Sequence, residues 1–263
     1  MNKMPTIEDA IELSGIDVLH PGGYDLTKRI AEVTDIRGKN ILDVASGRGA
    51  SACYYAKNYS ARVTGVDINP EMVRSAVERA KMDGVDASAR FETGDALALP
   101  FADNTFDAAI NECAVGLISD PQLCLKEMAR VVKPGGDIVI HESTWLRQVP
   151  AAEKQDVSRR LGTVPHMLYE WVAMMKNAGL TDIWTEDWSD VEKSIVKMRS
   201  DRSIKRLEDM YTFREKYLVI FPQILRKFGL RGLLYLDKSN KMIIRLYYDG
   251  TLGYYLIKGK KPA

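Results

Sequence analysis

Cysteine is scarce in this sequence, which limits both its redox chemistry and its capacity to hold a metal. The three cysteines, Cys53, Cys113 and Cys124, are widely spaced in a chain of 263 residues. This spacing provides neither a disulfide framework nor the paired cysteines of a zinc site, so we expect no bound metal. Because disulfides belong to oxidising compartments, their expected absence favours a cytoplasmic location.

Long apolar runs and an excess of charge of one sign are also absent. No run approaches the roughly 20 apolar residues needed to span a bilayer. The first 17 residues carry acids rather than the apolar core of a secretory signal. Lysine and arginine number 37 against 36 aspartates and glutamates, a formal net charge of +1. This balance creates no long-range field that would favour nucleic acid or a membrane as a partner.

The most informative segment that is present is residues 40–51, NILDVASGRGAS. Its apolar positions within 41–44 are typical of a buried strand in a parallel sheet. The small residues 46–50 predict a tight loop, and residues 51–58 predict a helix. Glycine lets the backbone approach a ligand closely, and the free amides of the first helical turn face it. The segment therefore predicts a site for the polar part of a nucleotide-like ligand.

The rest of the chain alternates between strand and helix patterns. Asn69-Pro70 and Asp120-Pro121 each combine an N-cap with proline at the first helical position, and Thr6 can cap a short first helix. The other predicted strands are 62–67, 89–93, 106–111, 137–142, 180–186 and 251–258. The other predicted helices are 25–33, 165–178 and 190–227, while 242–248 can be either the first arm of a hairpin or a helix. Such alternation predicts an α/β protein with a doubly wound, mostly parallel seven-stranded sheet.

The loop alone does not identify the ligand. Residues 47–52, GRGASA, fit the G-x-G-x-x-G/A dinucleotide pattern, and Asp67 lies at about the distance expected for a ribose-binding acid. A nicotinamide-dependent oxidoreductase is therefore one interpretation. Against it, Asp43 lies at the strand end before the loop, where it would repel a pyrophosphate and attract a cationic amino group. A further acid, Asp95, follows the third strand, and residues 132–136, VKPGG, precede another apolar strand.

Together these motifs resemble the class I S-adenosylmethionine-dependent methyltransferases, in the branch that acts on small molecules. The resemblance covers roughly residues 36–145. The family's first motif, D/E-x-G-x-G-x-G, is carried by Asp43, Ala45, Gly47 and Gly49, with alanine in place of the first glycine. One methyl group is a small intrusion, so we expect a slight shift of the cofactor rather than loss of binding. The resemblance implies a Rossmann-like fold, S-adenosyl-L-methionine as cofactor and S-adenosyl-L-homocysteine as product.

The resemblance also implies roles for residues at the carboxyl ends of the strands. Asp67 would accept from both ribose hydroxyls, because a carboxylate offers two acceptor oxygens, and Ile68 would lie against the adenine. Asp95 and the Ala96 amide would bind the adenine edge, and Asp43 would attract the methionine ammonium. The alternative interpretations are that Asp67 is a helix-capping acid, that Ile68 is a core residue and that Asp95 is a turn aspartate. The predicted cofactor-binding residues are Asp43, Ala45, Ser46, Gly47, Gly49, Asp67, Ile68, Asp95, Ala96 and Asn111.

Residues at the end of the fourth strand concern the acceptor. The resemblance places Asn111 against the methionine part of the cofactor, with Glu112 and Cys113 bordering the acceptor pocket. Relatives that methylate the exocyclic amines of nucleic-acid bases carry [N/D]-P-P-[Y/F] here, which residues 111–114, NECA, do not match. No RNA-binding signature is present either. We therefore expect a small-molecule acceptor and no nucleic acid as a partner.

Candidates for proton transfer and for a lid lie elsewhere. His141 and Glu142 at the end of the fifth strand could remove a proton from the acceptor, or could be a structural histidine and a surface acid. His20 and Tyr24 flank a Pro-Gly-Gly turn in the segment that closes over the cofactor in related enzymes. They are candidate lid residues, or part of a plain loop. A thiolate or carbon acceptor needs no dedicated base, so no catalytic residue is assigned.

We expect three parts in the chain. Residues 1–35 form an N-terminal helical lid segment, 36–188 plus 240–263 form the S-adenosylmethionine-binding Rossmann-like domain, and 189–239 form a helical insertion. Between residues 190 and 231 there are 11 Lys and Arg against 6 Asp and Glu. One interpretation of this positive surplus is a solvated face. The other is a cover on the acceptor pocket, which would favour an anionic substrate or form a homodimer contact. A third functional hypothesis is a protein that binds the cofactor without turnover.

Overall fold

The structure is a computed structural model, and it describes residues 4–14, 16, 18, 20–194, 197, 205–206 and 209–263. The chain forms two compact units. The first unit comprises Met1–Gly23, Ser143–Met167 and Trp188–Tyr254, and the second comprises Tyr24–Glu142, Leu168–Asp187 and Tyr255–Ala263. These units differ from the expected parts, because residues 24–35 group with the sheet and residues 143–167 do not. In the described residues no helix has the length and apolar character that crossing a membrane requires.

The strands of the chain form one sheet, and β1 to β4 lie entirely in the second unit. The strands of the chain are β1 (Asn40–Val44), β2 (Arg62–Asp67), β3 (Ala89–Thr93), β4 (Phe106–Glu112), β5 (Val132–Trp145), β6 (His166–Met167), β7 (Thr181–Asp187) and β8 (Leu252–Lys260). Their order is β3-β2-β1-β4-β5-β8-β7, with the two-residue β6 paired to β5. Strands β1 to β5 pair in parallel, and β7 and β8 are antiparallel. The predicted mostly parallel seven-stranded sheet is confirmed, with β6 as a short addition.

The central strands are apolar because helices cover both faces of a parallel sheet. Ile41, Leu42 and Val44 of β1 are completely buried, as are Ala109 and Ile110 of β4. The strand order reverses between β1 and β4, since β2 and β3 lie on one side of β1 and β4 and β5 on the other. At such a point the connections after the two strands diverge and leave a crevice at their carboxyl ends. The loop after β1 and the end of β4 both lie at this crevice.

The helices are α1 (Ile7–Leu13), α2 (Gly23–Thr34), α3 (Ala50–Tyr59), α4 (Pro70–Met82), α5 (Pro121–Val131), α6 (Ala151–Leu161), α7 (Leu168–Asn177), α8 (Val191–Ser194) and α9 (Phe221–Tyr248), with a 3₁₀ turn at Val115–Leu117 and a π-helical segment at Glu215–Ile220. Helices α1, α4 and α5 begin at side-chain caps that the sequence provides. Asn69 and Asp120 accept hydrogen bonds from the first turns of α4 and α5, as predicted. Thr6 forms a reciprocal capping box with Asp9 at the start of α1.

Some predicted elements of the second half are wrong. The helix predicted over 165–178 begins only at Leu168, because the two preceding residues pair with Thr144 and Trp145 of β5. Helix α6 was not predicted. The long helix predicted over 190–227 is not present as one element, since its described part contains α8, the π-helical segment and the start of α9. Residues 195–196, 198–204 and 207–208 of that prediction lie outside the described residues.

Residues 242–248 were predicted to be either the first arm of a hairpin or a helix, and the structure shows a helix. The first arm of the possible hairpin is helical, because Ile243, Leu246 and Tyr247 recur at helical spacing and are buried along one face of α9. The second arm is β8, the antiparallel strand that the topology requires. Helix α9 is interrupted at Gly229, which has φ 68° and ψ −174°.

Candidate cofactor site

The loop after β1 places three residues in the left-handed region. Ala45 has φ 56°, Gly47 φ 52° and Gly49 φ 75°. A Cβ atom at Gly49 would lie 2.7 Å from the Phe91 ring and 2.8 Å from the Ala76 Cβ atom, so only glycine fits there. This geometry turns the chain sharply from β1 into α3 through a short loop in which Arg48 is the one large side chain. The predicted glycine-rich loop is therefore present, with Ala45 held in a conformation that glycine prefers.

Asp67, at the end of β2, holds this loop in place. Its Oδ2 atom accepts the backbone N–H of Gly47 at 2.9 Å, and its Oδ1 atom accepts that of Asn69 at 2.8 Å. One carboxylate thus connects the loop after β1 to the start of α4. Each carboxylate oxygen can accept a second hydrogen bond. Asp67 can therefore position the loop and still receive hydroxyl donors from a ligand.

Asp43 lies near the end of β1 and is the most buried of the three acids at positions 43, 67 and 95. Its side chain is only 3% exposed, and no described residue donates a hydrogen bond to its Oδ2 atom. Burial raises the pKa of Asp43 well above its ordinary value, and the neighbouring carboxylates of Glu112 and Asp67 raise it further. A buried carboxylate of this kind is satisfied when a cation binds beside it. Ser46, the next polar residue of the loop, also has a buried Oγ atom that receives no hydrogen bond from a described residue.

The residues after β2 and β3 form an exposed edge. Ile68 follows Asp67 and is 70% exposed, so its side chain is available to a ligand. Asp95 is exposed after β3, where its Oδ1 atom accepts the Leu97 N–H at 2.9 Å. Its other oxygen accepts no side-chain or backbone donor that the structure shows among the described residues. Asp95 is thus a turn aspartate, as the alternative held, and it also keeps an acceptor facing solvent next to the half-buried Ala96.

Asn111 joins the ends of β1 and β4. Its Nδ2 atom donates to the Val44 carbonyl at 2.8 Å, and its Oδ1 atom accepts the N–H groups of Ala114 and Val115 at 2.9 and 3.1 Å. The side chain is completely buried. Asn111 therefore fixes the turn after β4, and its predicted contact with the cofactor stays a prediction. Cys113 in this turn has φ 67°.

Glu112 forms a cluster that the sequence did not predict. Its Oε2 atom accepts the Thr27 hydroxyl of α2 at 2.9 Å, and its Oε1 atom accepts the Tyr55 hydroxyl of α3 at 2.7 Å. On the same two helices the rings of Tyr24 and Tyr54 stack with centroids 5.0 Å apart. Burial raises the pKa of Tyr55, as does the adjacent Glu112. We name Thr27, Tyr55 and Glu112 the Glu112 clamp, because the carboxylate holds α2 and α3 to the end of β4.

The remaining candidates are buried. His141 and Glu142 are completely buried, and the Oε1 atom of Glu142 accepts the Val115 N–H at 2.7 Å. Glu142 is therefore not the surface acid of the alternative interpretation, and the role of this pair in proton transfer stays a prediction. His20 lies in the first unit, where its Nδ1 atom is 3.1 Å from the Pro21 carbonyl oxygen. Its predicted lid role and that of Tyr24 stay predictions.

The cysteines and acids offer no metal site in the part of the chain that the structure describes. No group of three or more His, Cys, Asp and Glu residues there is arranged to hold a metal ion. Cys124 is buried in α5, and burial together with the charge of Glu142 raises its pKa to about 12. Such a thiol is protonated at neutral pH and cannot act as a thiolate ligand or nucleophile.

Comparison with known proteins identifies the family. A family model described as a methyltransferase domain matches residues 42–140, from the middle of β1 to within β5. Phosphoethanolamine N-methyltransferase 1 of Arabidopsis thaliana is 30% identical over 188 residues, which are 71% of this chain and 38% of that relative. The chain belongs to the class I S-adenosylmethionine-dependent methyltransferases. It spans less than two fifths of the length of this plant member of the family.

Other methyltransferases give similar matches. Norajmaline N-methyltransferase of Rauvolfia serpentina is 32% identical over 190 residues, covering 67% of this chain and 65% of that relative. The structure of phosphoethanolamine N-methyltransferase 2 of Haemonchus contortus, in complex with phosphomonomethylethanolamine and S-adenosylhomocysteine, superposes with a TM-score of 0.73. It is 22% identical and covers 98% of this chain and 58% of that one. This likeness confirms the Rossmann-like methyltransferase fold.

Proposed function

We propose that this protein transfers the methyl group of S-adenosyl-L-methionine to a small-molecule acceptor. The observation that carries the proposal is the buried Asp43 carboxylate, whose Oδ2 atom has no hydrogen-bond donor among the described residues. It lies directly before the glycine-rich loop. A pyrophosphate next to this acid would be repelled, whereas an ammonium or sulfonium group would be attracted. The family to which the chain belongs supports the same cofactor.

The residues present fit this cofactor along its length. Asp43 would attract the ammonium group, and the loop that contains Gly47 would lie against the methionine part. Asp67 would accept the ribose hydroxyls with the lone pairs that its two backbone bonds leave free. The exposed Ile68 side chain would cover one face of the adenine, and Asp95 would accept its exocyclic amine. Both residues are exposed in the structure, as this role requires.

The chemistry follows from what these side chains can do. S-adenosyl-L-methionine, when bound, supplies a methyl group that its sulfonium has already activated. The protein's task is therefore to orient the acceptor and to exclude water. The Glu112 clamp would fix one wall of the site, and Cys113 would border the acceptor. Methyl transfer does not require Cys113 as a nucleophile, and it does not by itself require His141 as a base. We therefore assign no catalytic residue.

The acceptor is proposed to be a small molecule. In support, a phosphoethanolamine and a norajmaline methyltransferase are among the similar proteins, and residues 111–114 lack the motif of base-modifying relatives. The net charge of +1 gives no field that would draw nucleic acid. The same proposal includes three further points. Residues 189–239 cover the acceptor pocket, the protein is a homodimer, and its location is cytoplasmic. Size-exclusion chromatography with light scattering would test the homodimer.

Titration calorimetry tests the cofactor. We expect S-adenosylmethionine and S-adenosylhomocysteine to bind and NADH not to bind. The Asp67→Ala variant should bind more weakly than wild type, and Asp86→Ala, an exposed acid of the same unit, should bind as wild type does. Binding of NADH alone would instead identify a nicotinamide-dependent enzyme.

Product formation tests turnover. The protein is incubated with S-adenosylmethionine and a panel of amines, phenols, thiols and prenylated quinols, and methylated products are detected by mass spectrometry. Formation of one product above a control without protein would support the proposal and identify the acceptor atom. Tight binding of S-adenosylmethionine without any product across the panel would favour a binding protein without turnover.

A further inference from the structure

Large apolar side chains are exposed repeatedly within one segment of the first unit. Between residues 213 and 234, six of them have exposed fractions from 45% to 74%. The other large hydrophobic residues of similar exposure are scattered along the described chain. Single exposed hydrophobics are ordinary, but a cluster of this kind marks an interaction surface. We name these six residues the outer apolar face: Phe213, Tyr217, Leu218, Leu225, Leu230 and Leu234.

The second half of this face points away from the protein interior. In α9 after Gly229, the residues Gly232, Leu236 and Ser239 recur at helical spacing and are buried. Leu230 and Leu234 each lie two positions from a buried residue, which is a rotation of about 200° around the helix. These two leucines, one turn apart, therefore occupy the side opposite the buried stripe. Because these side chains are exposed, packing within the first unit does not explain why Leu230 and Leu234 are apolar.

The two aromatic residues of the outer apolar face stand in a row with the half-buried Phe221, and a lysine lies near this row. The rings of Phe213 and Tyr217 have centroids 4.7 Å apart, and those of Tyr217 and Phe221 are 5.1 Å apart. The ammonium of Lys216 lies 5.5 and 5.6 Å from the centroids of the last two rings. Aromatic rings with a neighbouring lysine are suited to the boundary between acyl chains and headgroups, where the ring is buried and the ammonium remains hydrated.

Basic residues are concentrated in the same segment of the chain. Arg214, Lys216, Arg226, Lys227 and Arg231 lie between residues 213 and 234, against one acid, Glu215. The chain as a whole has 37 basic and 36 acidic residues, so this segment is strongly positive within a protein that is nearly neutral. A second copy of the chain would present the same positive charge, and repulsion would oppose that contact. A negatively charged surface is the complementary partner.

We propose that the outer apolar face docks on an anionic lipid bilayer, with its leucines and aromatic rings in the interface and its basic residues against the headgroups. An apolar row flanked by Lys and Arg on a surface helix is the arrangement that binds in the plane of such a bilayer. This docking site goes beyond the proposed methyl transfer and does not depend on it.

Sedimentation with vesicles tests the proposal. Wild type is mixed with vesicles of 70% phosphatidylcholine and 30% phosphatidylglycerol, and with vesicles of phosphatidylcholine alone. We expect binding to the anionic vesicles, at least tenfold weaker binding to the neutral ones, and loss of binding in 0.5 M NaCl. Equal binding to both vesicle types, or none to either, would overturn the proposal without use of a variant.

Two double variants separate the apolar and the electrostatic contributions. Leu230→Ser with Leu234→Ser should weaken partitioning at least tenfold, and Arg226→Gln with Lys227→Gln should weaken it about fivefold per residue. The matched controls are Met82→Ser for the exposed apolar residue, and Lys81→Gln with Arg90→Gln for the charge, all exposed in the second unit. Circular dichroism confirms that each variant is folded.

The oligomeric state decides between a membrane and a second copy. Light scattering is measured for wild type and for the double leucine variant without lipid. An unchanged mass together with reduced vesicle binding supports the membrane. A wild-type dimer that the leucine substitutions convert to a monomer would show that a second copy covers this face, and the proposal would be wrong.

Discussion

Asp67 combines a structural and a proposed binding role in one carboxylate. Asp67→Ala removes the acceptor for the Gly47 and Asn69 N–H groups, and with it the proposed acceptor for the ribose hydroxyls. We expect S-adenosylhomocysteine affinity to fall by about 1–3 kcal/mol, the range for hydrogen bonds to a charged group. Calorimetry measures the change, with Asp86→Ala as the control. An unchanged affinity would contradict the proposed pocket.

Ala45 carries strain that its glycine variant would relieve. An L-residue in the left-handed region costs about 1–2 kcal/mol, and Ala45 has φ 56°. Ala45→Gly should therefore raise the free energy of unfolding by about 0.5–1 kcal/mol, after the greater freedom of glycine in the unfolded chain is subtracted. Urea unfolding measures this. Ala52→Gly, within α3, should change stability in the opposite direction by about 1 kcal/mol.

Asp43 should give the ligand-free protein a pH-dependent stability. Its pKa is raised by burial and by Glu112 and Asp67, so the folded state binds its proton more tightly than the unfolded state. This contribution to stability is complete below the ordinary value of 3.8 and is lost as pH rises through the raised pKa. Asp43→Asn cannot ionise and should gain stability over wild type as pH rises from 4 to 8.

Urea unfolding at several pH values measures the Asp43 effect, and ligand binding provides a second readout. The Asn variant should bind S-adenosylhomocysteine more weakly at pH 8, because it cannot neutralise the ammonium group. Asp86→Asn is the matched control, and its difference from wild type should not follow this pH course. A constant difference between the Asp43 variant and wild type at all pH values would contradict the buried, partner-free state of the carboxylate.

At the scale of residues, the sequence predicted which acids lie at the strand ends but not what they contact. Asp43 and Asp67 lie in the last two residues of β1 and β2, and Asp95 follows β3. The apolar patterns of these strands are local, so the place of the acids at one edge of the sheet was predictable. The contacts of Glu112 with Thr27 and Tyr55 join positions 85 and 57 residues apart. A buried tyrosine hydroxyl needs a partner, but no local pattern says which one.

The Glu112 clamp determines how two helices are held at the carboxyl end of β4. Tyr55→Phe removes the buried hydroxyl that donates to Oε1 of the half-buried Glu112, so we expect the free energy of unfolding to fall by about 1–3 kcal/mol. Thr27→Val should have a similar effect through Oε2. In the double variant the two effects should not add, because both hydroxyls serve one carboxylate.

Urea unfolding of the single and double variants measures this coupling. Tyr59→Phe is the matched control, since it removes a hydroxyl from the same helix for which the structure shows no hydrogen bond among the described residues. It should change stability by less than about 0.5 kcal/mol. Additive losses for Thr27→Val and Tyr55→Phe would show that the carboxylate does not couple α2 to α3.

Elements with local start signals were predicted better than elements that depend on pairing. Helices α4 and α5 begin where an N-cap residue is followed by proline, and the structure confirms both. Strand β6 has only two residues, and it forms because Thr144 and Trp145 of β5 are available to pair with it. Nothing in the sequence of β6 itself indicates a strand. The helix predicted over 165–178 therefore began too early, because the helical pattern of α7 was extended back over β6.

For the whole molecule, the proposal predicts that the cofactor stabilises the unit that binds it. A ligand at 100 times its Kd adds about 2.7 kcal/mol to the free energy of unfolding. For a protein of this size, that raises the melting temperature by about 5–10 °C. S-adenosylhomocysteine should produce this shift in scanning calorimetry, NADH should not, and Asp67→Ala should require a higher concentration.

Hydrogen exchange locates this stabilisation, because the predicted ligand contacts lie in the second unit alone. Amides of the loop after β1, of the start of α4 and of the turn after β3 should exchange more slowly with S-adenosylhomocysteine present. Protection that extends along β1 to β4 is expected, since these strands carry the loops and unfold with them. Protection confined to amides of the first unit would contradict the proposed site, because the acids at positions 43, 67 and 95 would then not be in contact with the ligand.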